Sequence, residues 1–467
     1  GLEDHVALIN RRACRIAREA AKGSAYVAGV MGPTNHALSL ASKLEDPAFR
    51  RFDFNDFHAS YLEQAILLIE GGVDLLLIET VFDTLVAKSA IIAALDAMEQ
   101  RSVHVPIMVS VTFSDASRRT LSGQSLASFI ETMAPFPLFS LGLNCSTGPE
   151  EMIDLIQEMS ETSPFYVSAH PNAGFPDKEG RYTLTPEAMA ATFRPLLQAG
   201  RLNIIGGCCG TTPAHIAALK EIVGDGRVHE RPTAKRKNVF CGLDPIHTEE
   251  GRFLVVGERT NVAGSRKFAR LIRQEKWDEA ILVAKEQVQA GAEMIDVCMD
   301  ASLLDAGAAM TTFLRHLGSE PDVSRLPIMI DSSDWSVIEV GMREVQGRGV
   351  VNSISLKEGE ALFCSHARAI ARFGHAMVVM LFDERGQAES YERKMEVAER
   401  SYALLHAAGI GDEDIIFDAN VLSIATGISE HDGYALSFIE ATRAIKRKFP
   451  GVLTGGGISN LSFSFRG

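Results

Sequence analysis

Residues 70–80 read EGGVDLLLIET, and residues 289–297 read QAGAEMIDV. Each stretch ends a helical pattern on glycine, runs through a short apolar segment and stops on an acid. The same unit recurs on either side of both: a β-rich apolar run, a polar or glycine-containing bend, then an amphipathic helical pattern. That alternation is the mark of βα units around a parallel sheet.

Working outward from 70–80, six candidate strands appear in the first half: Tyr26–Val30, Val73–Ile78, Pro106–Thr112, Leu138–Leu143, Phe165–Ala169 and Asn203–Ile205. Helical patterns such as Phe57–Glu70 and Leu126–Met133 lie between them. Outward from 289–297 there are seven: Phe253–Val256, Met294–Val297, Pro327–Ile330, Val350–Ile354, Ala376–Leu381, Asp414–Phe417 and Val452–Thr454. Between the halves, RVHERPTAKRK at 227–237 is charged, contains proline and has no apolar periodicity. It reads as a solvated linker, with a docking site as the alternative. The domains expected are 1–226 and 253–467, joined by 227–252.

Eight βα units close a barrel, which takes about 250 residues. Six and seven consecutive units predict an α/β fold of two consecutive (β/α)8 TIM-type barrels, each incomplete. The first is expected to lack N-terminal strands and the second its C-terminal end. Two open doubly wound sheets are the competing architecture, but the Gly-x-Gly-x-x-Gly turn that would favour them is absent. In a barrel the working face lies at the strand C-termini. Glu79 and Asp296 therefore stand on the two working faces, unless they merely open solvent-facing loops.

The bulk properties narrow the classes. With 467 residues, 46% hydrophobic and 23% charged, the chain has an ordinary globular composition and material for large cores. A net charge of -14 without a basic stripe argues against nucleic acid as a partner. No apolar run is long enough to cross a bilayer, and GLEDHVALINRRACRIAREA at the start lacks the apolar core of a signal peptide. The expectation is a cytoplasmic protein with no membrane partner. Seven sparse cysteines fit reduced thiols.

The strongest chemical signal is GGCCGTTP at 206–213, placed between a strand and a helix that Thr212 and Pro213 suit as N-cap and first residue. Neighbouring cysteines rarely satisfy disulfide geometry, but adjacent thiolates can share one metal. Cys145 ends another strand in Gly142-Leu143-Asn144-Cys145, on the same barrel face. Cys145, Cys208 and Cys209 thus form a three-thiolate set with no fourth ligand evident, the pattern of a catalytic zinc with an open position. A thiol entering that position loses its proton and becomes a nucleophile. Small buried cysteines are the alternative reading.

With these motifs, and with GPTN at 32–35, IETVFDT at 78–84, TFSDASRRTLSGQ at 112–124 and PNAG at 171–174, residues 1–225 resemble the homocysteine S-methyltransferase family. The resemblance implies zinc on Cys145, Cys208 and Cys209, and homocysteine contacts from Glu79, to the substrate ammonium, and Asn172. The Asp-Gly motif of the family's first strand does not occur here.

Residues 253–467 resemble the pterin-binding barrels of methionine synthases and dihydropteroate synthases. The motifs are VGERTNVAGSRKF at 256–268, IMIDSSDWSVIEVG at 328–341, GVVNSISLKEGE at 349–360, DIIFDAN at 414–420 and GGGISNLSFSFRG at 455–467. A pterin edge is read by carboxylates and amides. The resemblance assigns Asn261, Asp296, Asp331, Asn352, Asp418 and Asn460 to the folate, with Asn460 as support for protonation at N5. Asp and Asn also cap helices after strands, which is the alternative for each. Where the family reads Asp-Val-Asn, this chain has Asp296-Val297-Cys298. Cys298, Cys14, Cys241 and Cys364 read as packing or surface residues.

The order of the two modules resembles the N-terminal half of the cobalamin-dependent methionine synthase family. It implies methyl transfer from 5-methyltetrahydrofolate through methylcobalamin, held by a cobalamin-binding domain outside this chain, to homocysteine. The alternatives are a homocysteine S-methyltransferase with a non-folate donor and a degenerate second barrel, or a non-catalytic incomplete fragment.

Overall fold

The computed structural model describes residues 1–43, 45–113, 117–145, 148–224, 226–232, 238–248 and 251–465. Parts of three motifs fall outside these: 114–116 of the 112–124 motif, 233–237 of the charged stretch, and 466–467 of the last glycine-rich motif. The chain divides into two compact units, Gly1–Lys235 with Gly242–Pro245, and Arg236–Cys241 with Ile246–Gly467.

The first unit holds strands Ala28–Met31, Leu75–Val81, Ile107–Val111, Ser140–Asn144, Tyr166–His170 and Ile204–Ile205. They form one parallel sheet in sequence order. All six anticipated strands are present, with ends moved by at most three residues. A doubly wound sheet reverses its strand order at a switch point; this one never does, as a barrel wall requires. Local chemistry fixes the helices that cover it. Asp53 opens Phe54–Glu70 with a capping box, accepting from Asn55 N (2.8 Å) and Asp56 N (3.0 Å) while its own N–H donates to Asp56 (2.9 Å). Asp83 caps Thr84–Arg101 and also accepts from Leu38 N, Ser39 N and Ser39 Oγ, which ties the 32–39 loop to the sheet. In the stretch read as a linker, the Gly242 carbonyl accepts from Gln124 Nε2 (2.9 Å) and Ser128 Oγ (2.8 Å), and Asp244 pairs with Arg119 (2.7 Å).

The second unit holds strands Val256–Asn261, Met294–Cys298, Ile328–Asp331, Val350–Ile354, Ala376–Met380, Ile415–Asp418 and Leu453–Gly455, again parallel and in sequence order. Six match their anticipated positions closely. The first begins where the expected one, Phe253–Val256, ends. Glu258 and Arg259 interrupt its apolar pattern, and pairing with Met294–Cys298 decides its position. Side chains two apart on a strand share a face. Met294, Val350, Ala376, Val378 and Ile416 form a buried inner layer around Phe240, with Met329 and Leu453 packed against it. Phe240 belongs to the short strand Val239–Cys241, which the fully buried Arg348 holds by donating to the Val239 carbonyl and pairing with Asp414 (2.7 Å). Phe240 is the stopper under that layer. The same parity sends Asp296, Asp331, Asn352 and Asp418 to the inner face, each two residues beyond a member of the layer.

Both units are therefore barrel-like modules of parallel βα units. Among the described residues, no helix is long and apolar enough to cross a membrane.

Candidate functional site

In the first unit the three anticipated cysteines converge. Cys145 follows Ser140–Asn144 in the left-handed region, at φ +60°. Cys208 and Cys209 lie in the turn after Ile204–Ile205. Cys145 Sγ and Cys209 Sγ are 3.7 Å apart, and the three sulfurs all lie within 4.8 Å of one another. Four ligands around zinc at ~2.3 Å put sulfurs ~3.8 Å apart, so the donor set fits a tetrahedral zinc with one position left over. Gly207 has no room for a Cβ, which would stand 2.3 Å from Thr211 Cγ2, and the tight turn presents both cysteines together. Thr212 N donates to His215 Nδ1 (3.2 Å) and starts the following helix. Burial first, then the neighbouring Cys145 sulfur, pushes the Cys208 thiol up to about 12. Without a cation Cys208 holds its proton; a bound cation inverts that balance.

Glu79 precedes Thr80, whose N–H and hydroxyl are joined to Cys208 through Asn144. It stands at an irregularity in strand Leu75–Val81, where the pairing with Ile107–Val111 slips between Ile78 and Val81. Burial raises its carboxyl above the ordinary range, and a small cavity beside it is lined by Gly32, Pro33, Tyr61 and Phe82. Asn172 is buried, and its Oδ1 accepts from Cys209 N (3.1 Å). Sequence reasoning passed over three neighbours. Asn144 bonds to Thr80 and Cys208. His170 is held near 4 by burial, with a buried Nδ1 that has no hydrogen-bond partner. The Tyr182 ring lies against Gly210. The Asn-Cys dipeptide was a usable signal for the first; His170 closes strand Tyr166–His170 without a local motif, and Tyr182 depends on its loop folding back.

In the second unit, Asn261, Asp296 and Asp331 come together at the strand ends. Asn261 Nδ2 donates to Asp331 Oδ2 at 3.5 Å, and its Oδ1 accepts from Ala263 N and Gly264 N. Asp296 is 3% exposed, and its Oδ1 has no partner. Burial, then Asp331 and Glu258, raise its carboxyl well above the ordinary range. Asp331 is pushed up to about 7 by burial and then by Asp300. Asn352 is the register partner of Asp331. Cys298, standing where an amide was anticipated, keeps its proton and hydrogen-bonds Asp331. A thiol replaces the donor of an amide but not its acceptor. Asp418 accepts from Asn420 N (2.8 Å) and is raised by burial, against the pull of buried Lys394. Asn460 is exposed in the segment Ile458–Phe465, anchored through its backbone to Gly457 and Ser423. Glu258 and Asp300 were not anticipated; both act through space, which no local pattern records.

Residues 1–223 match the family model for Homocysteine S-methyltransferase, and residues 257–467 match that for Pterin binding enzyme. Among solved structures, the homocysteine methyltransferase MmuM from Escherichia coli is similar in its apo form. That match has 24% identity, covers 46% of this chain and 73% of that one, and has a TM-score of 0.35. Its metallated form matches at 26% identity over 46% and 70%, with a TM-score of 0.36. The dihydropteroate synthase from Xanthomonas albilineans in complex with 7,8-dihydropteroate matches at 13% identity over 48% and 77%, with a TM-score of 0.32.

Proposed function

We propose that this chain, which carries a homocysteine S-methyltransferase domain followed by a pterin-binding domain, serves cobalamin-dependent methionine synthesis. Its two working faces bind zinc-activated homocysteine and 5-methyltetrahydrofolate. A cobalamin carried on a separate domain would supply the methyl-carrier chemistry between the two faces, taking the methyl group of the folate and giving it to the homocysteine sulfur, so that tetrahydrofolate and methionine would result. The compartment is the cytoplasm, where thiols stay reduced. The observation that carries this reading is the convergence of three sulfurs at the strand ends of the first unit.

Cys145, Cys208 and Cys209 would hold zinc, which lowers the proton affinity of a thiol bound at its fourth position. Glu79 binds the substrate ammonium by charge, and the Nδ2 of Asn172 donates to the substrate. In the second unit, Asp296, Asp331, Asn261, Asn352 and Asp418 read the donors and acceptors of the pterin. The folate N5 is a poor leaving group unless protonated, and Asn460 supports that protonation through a hydrogen bond. The orphaned Oδ1 of Asp296 supports a ligand role, since a buried acceptor with no partner is rare without one.

The test pairs metal analysis with a folate titration on the parent and on Cys208→Ala. The parent should hold one zinc and bind 5-methyltetrahydrofolate. Cys208→Ala should lose zinc and homocysteine methylation while keeping folate affinity. Full zinc and full methyl transfer in Cys208→Ala would refute the assignment.

A further inference from the structure

The first unit contains a buried amide whose hydrogen bonds join the two ends of the homocysteine site. Asn144 is 1% exposed. Its Oδ1 accepts from Thr80 N at 2.9 Å. Its Nδ2 donates to Thr80 Oγ1 at 2.8 Å and to Cys208 Sγ at 3.9 Å. Both amide hydrogens are thereby used, one on each end of the site.

Thr80 has φ +59°, a conformation that a β-branched residue rarely adopts. It lies at the point where strand Leu75–Val81 slips its pairing with Ile107–Val111. Such a bulge re-aims a side chain and must be held in place by its surroundings. The side chain next to it is Glu79. Asn144 reaches past the intervening strand Ile107–Val111 to hold it. The residue after Asn144 is Cys145, itself left-handed at φ +60°. An amide nitrogen can only donate, so the sulfur it touches is the acceptor.

We propose that Asn144 is a positioning residue: it locks the bulge that aims Glu79 at the substrate ammonium, and it orients Cys208 Sγ toward the metal. One amide would then set the distance between the ammonium-binding and sulfur-binding ends of the site, and so the length of amino acid accepted. This rests on the zinc and homocysteine reading above. Asn144 does not touch the reacting atoms; it acts through Thr80 and Cys208.

The test uses the full chain loaded with Co(II), whose thiolate charge-transfer band reports sulfur ligation and whose visible spectrum reports homocysteine arrival. Asn144→Ala should weaken metal retention in a chelator competition by roughly ten- to a hundred-fold, the usual effect of losing a partner behind a metal ligand. At saturating cobalt its homocysteine affinity should fall by about ten-fold or more. Adding Thr80→Gly should restore homocysteine affinity, because glycine takes a positive φ unaided, and should leave the metal defect in place. A merely structural asparagine would not separate the two readouts in this way. Asn144→Ser is made alongside, so that a failure of the alanine variant to fold leaves the test intact. Parent-like metal retention and homocysteine affinity in either variant overturns the inference, as does a double variant in which glycine restores nothing. If the parent shows no thiolate-to-cobalt band, the zinc reading itself fails and this inference goes with it.

Discussion

Replacing Asp331 by asparagine should make the second unit more stable and less able to bind folate. Asp331 is held at about 7 against an ordinary 3.8, through burial first and then the charge of Asp300. Between those values the unfolded chain releases the proton while the folded chain retains it. Stability therefore falls as pH rises through that window and stays low above about 7. At 1.36 kcal/mol for each pH unit of that interval, the ionised carboxyl costs the fold about 4 kcal/mol at pH 8. Removing Asp331 also relieves Asp296, whose carboxyl it helps to raise. Asparagine keeps the shape and an oxygen for Asn261 Nδ2, but it does not ionise. Asp331→Asn should gain up to about 4 kcal/mol at pH 8, an advantage that shrinks toward pH 4. Both tryptophans, Trp277 and Trp335, belong to the second unit, so their fluorescence in a urea titration reads that unit alone. Folate affinity is measured on the same samples. Loss of a charged hydrogen bond to the pterin should weaken binding by about ten- to a hundred-fold. Stabilisation with lost binding is what a carboxylate kept for its ligand predicts. An unchanged urea midpoint at pH 8 with unchanged folate affinity would refute the reasoning.

Two further expectations follow from single contacts. Glu79→Gln should lower homocysteine affinity by about ten-fold or more, since the ammonium loses its charged partner, while metal content stays at the parent level; a zinc assay with a homocysteine titration checks both. Phe240→Ala removes the ring beneath Met294, Val350, Ala376, Val378 and Ile416 and should destabilise the second unit by about 3–5 kcal/mol, read as a lowered urea midpoint in tryptophan fluorescence with the zinc site untouched.

The sequence was explicit about whatever repeats or clusters locally. The βα alternation disclosed thirteen strands, because each buried strand must be apolar and each crossover helix amphipathic whatever its neighbours do. GGCCGTTP disclosed a paired-cysteine turn, because adjacent cysteines and tight glycines need no distant partner to be read. The strand-end acids could be named, because a chain alternates faces every residue and an acid closing an apolar run faces the mouth. Tertiary structure decided the rest. It moved the first strand of the second unit to Val256–Asn261, where pairing with Met294–Cys298 outweighs two charged residues in its middle. It set Val239–Cys241, from a stretch that reads as linker, beneath the second barrel, because Arg348 and Phe240 meet only when residues more than a hundred positions apart come together. It brought Cys145 to 3.7 Å from Cys209, and Asn144 to both Thr80 and Cys208. Hydrogen bonds, charge repulsion and burial act over a few ångströms in space without regard to sequence separation. Position along the chain therefore reveals which residues can do chemistry, and folding alone determines which of them do it together.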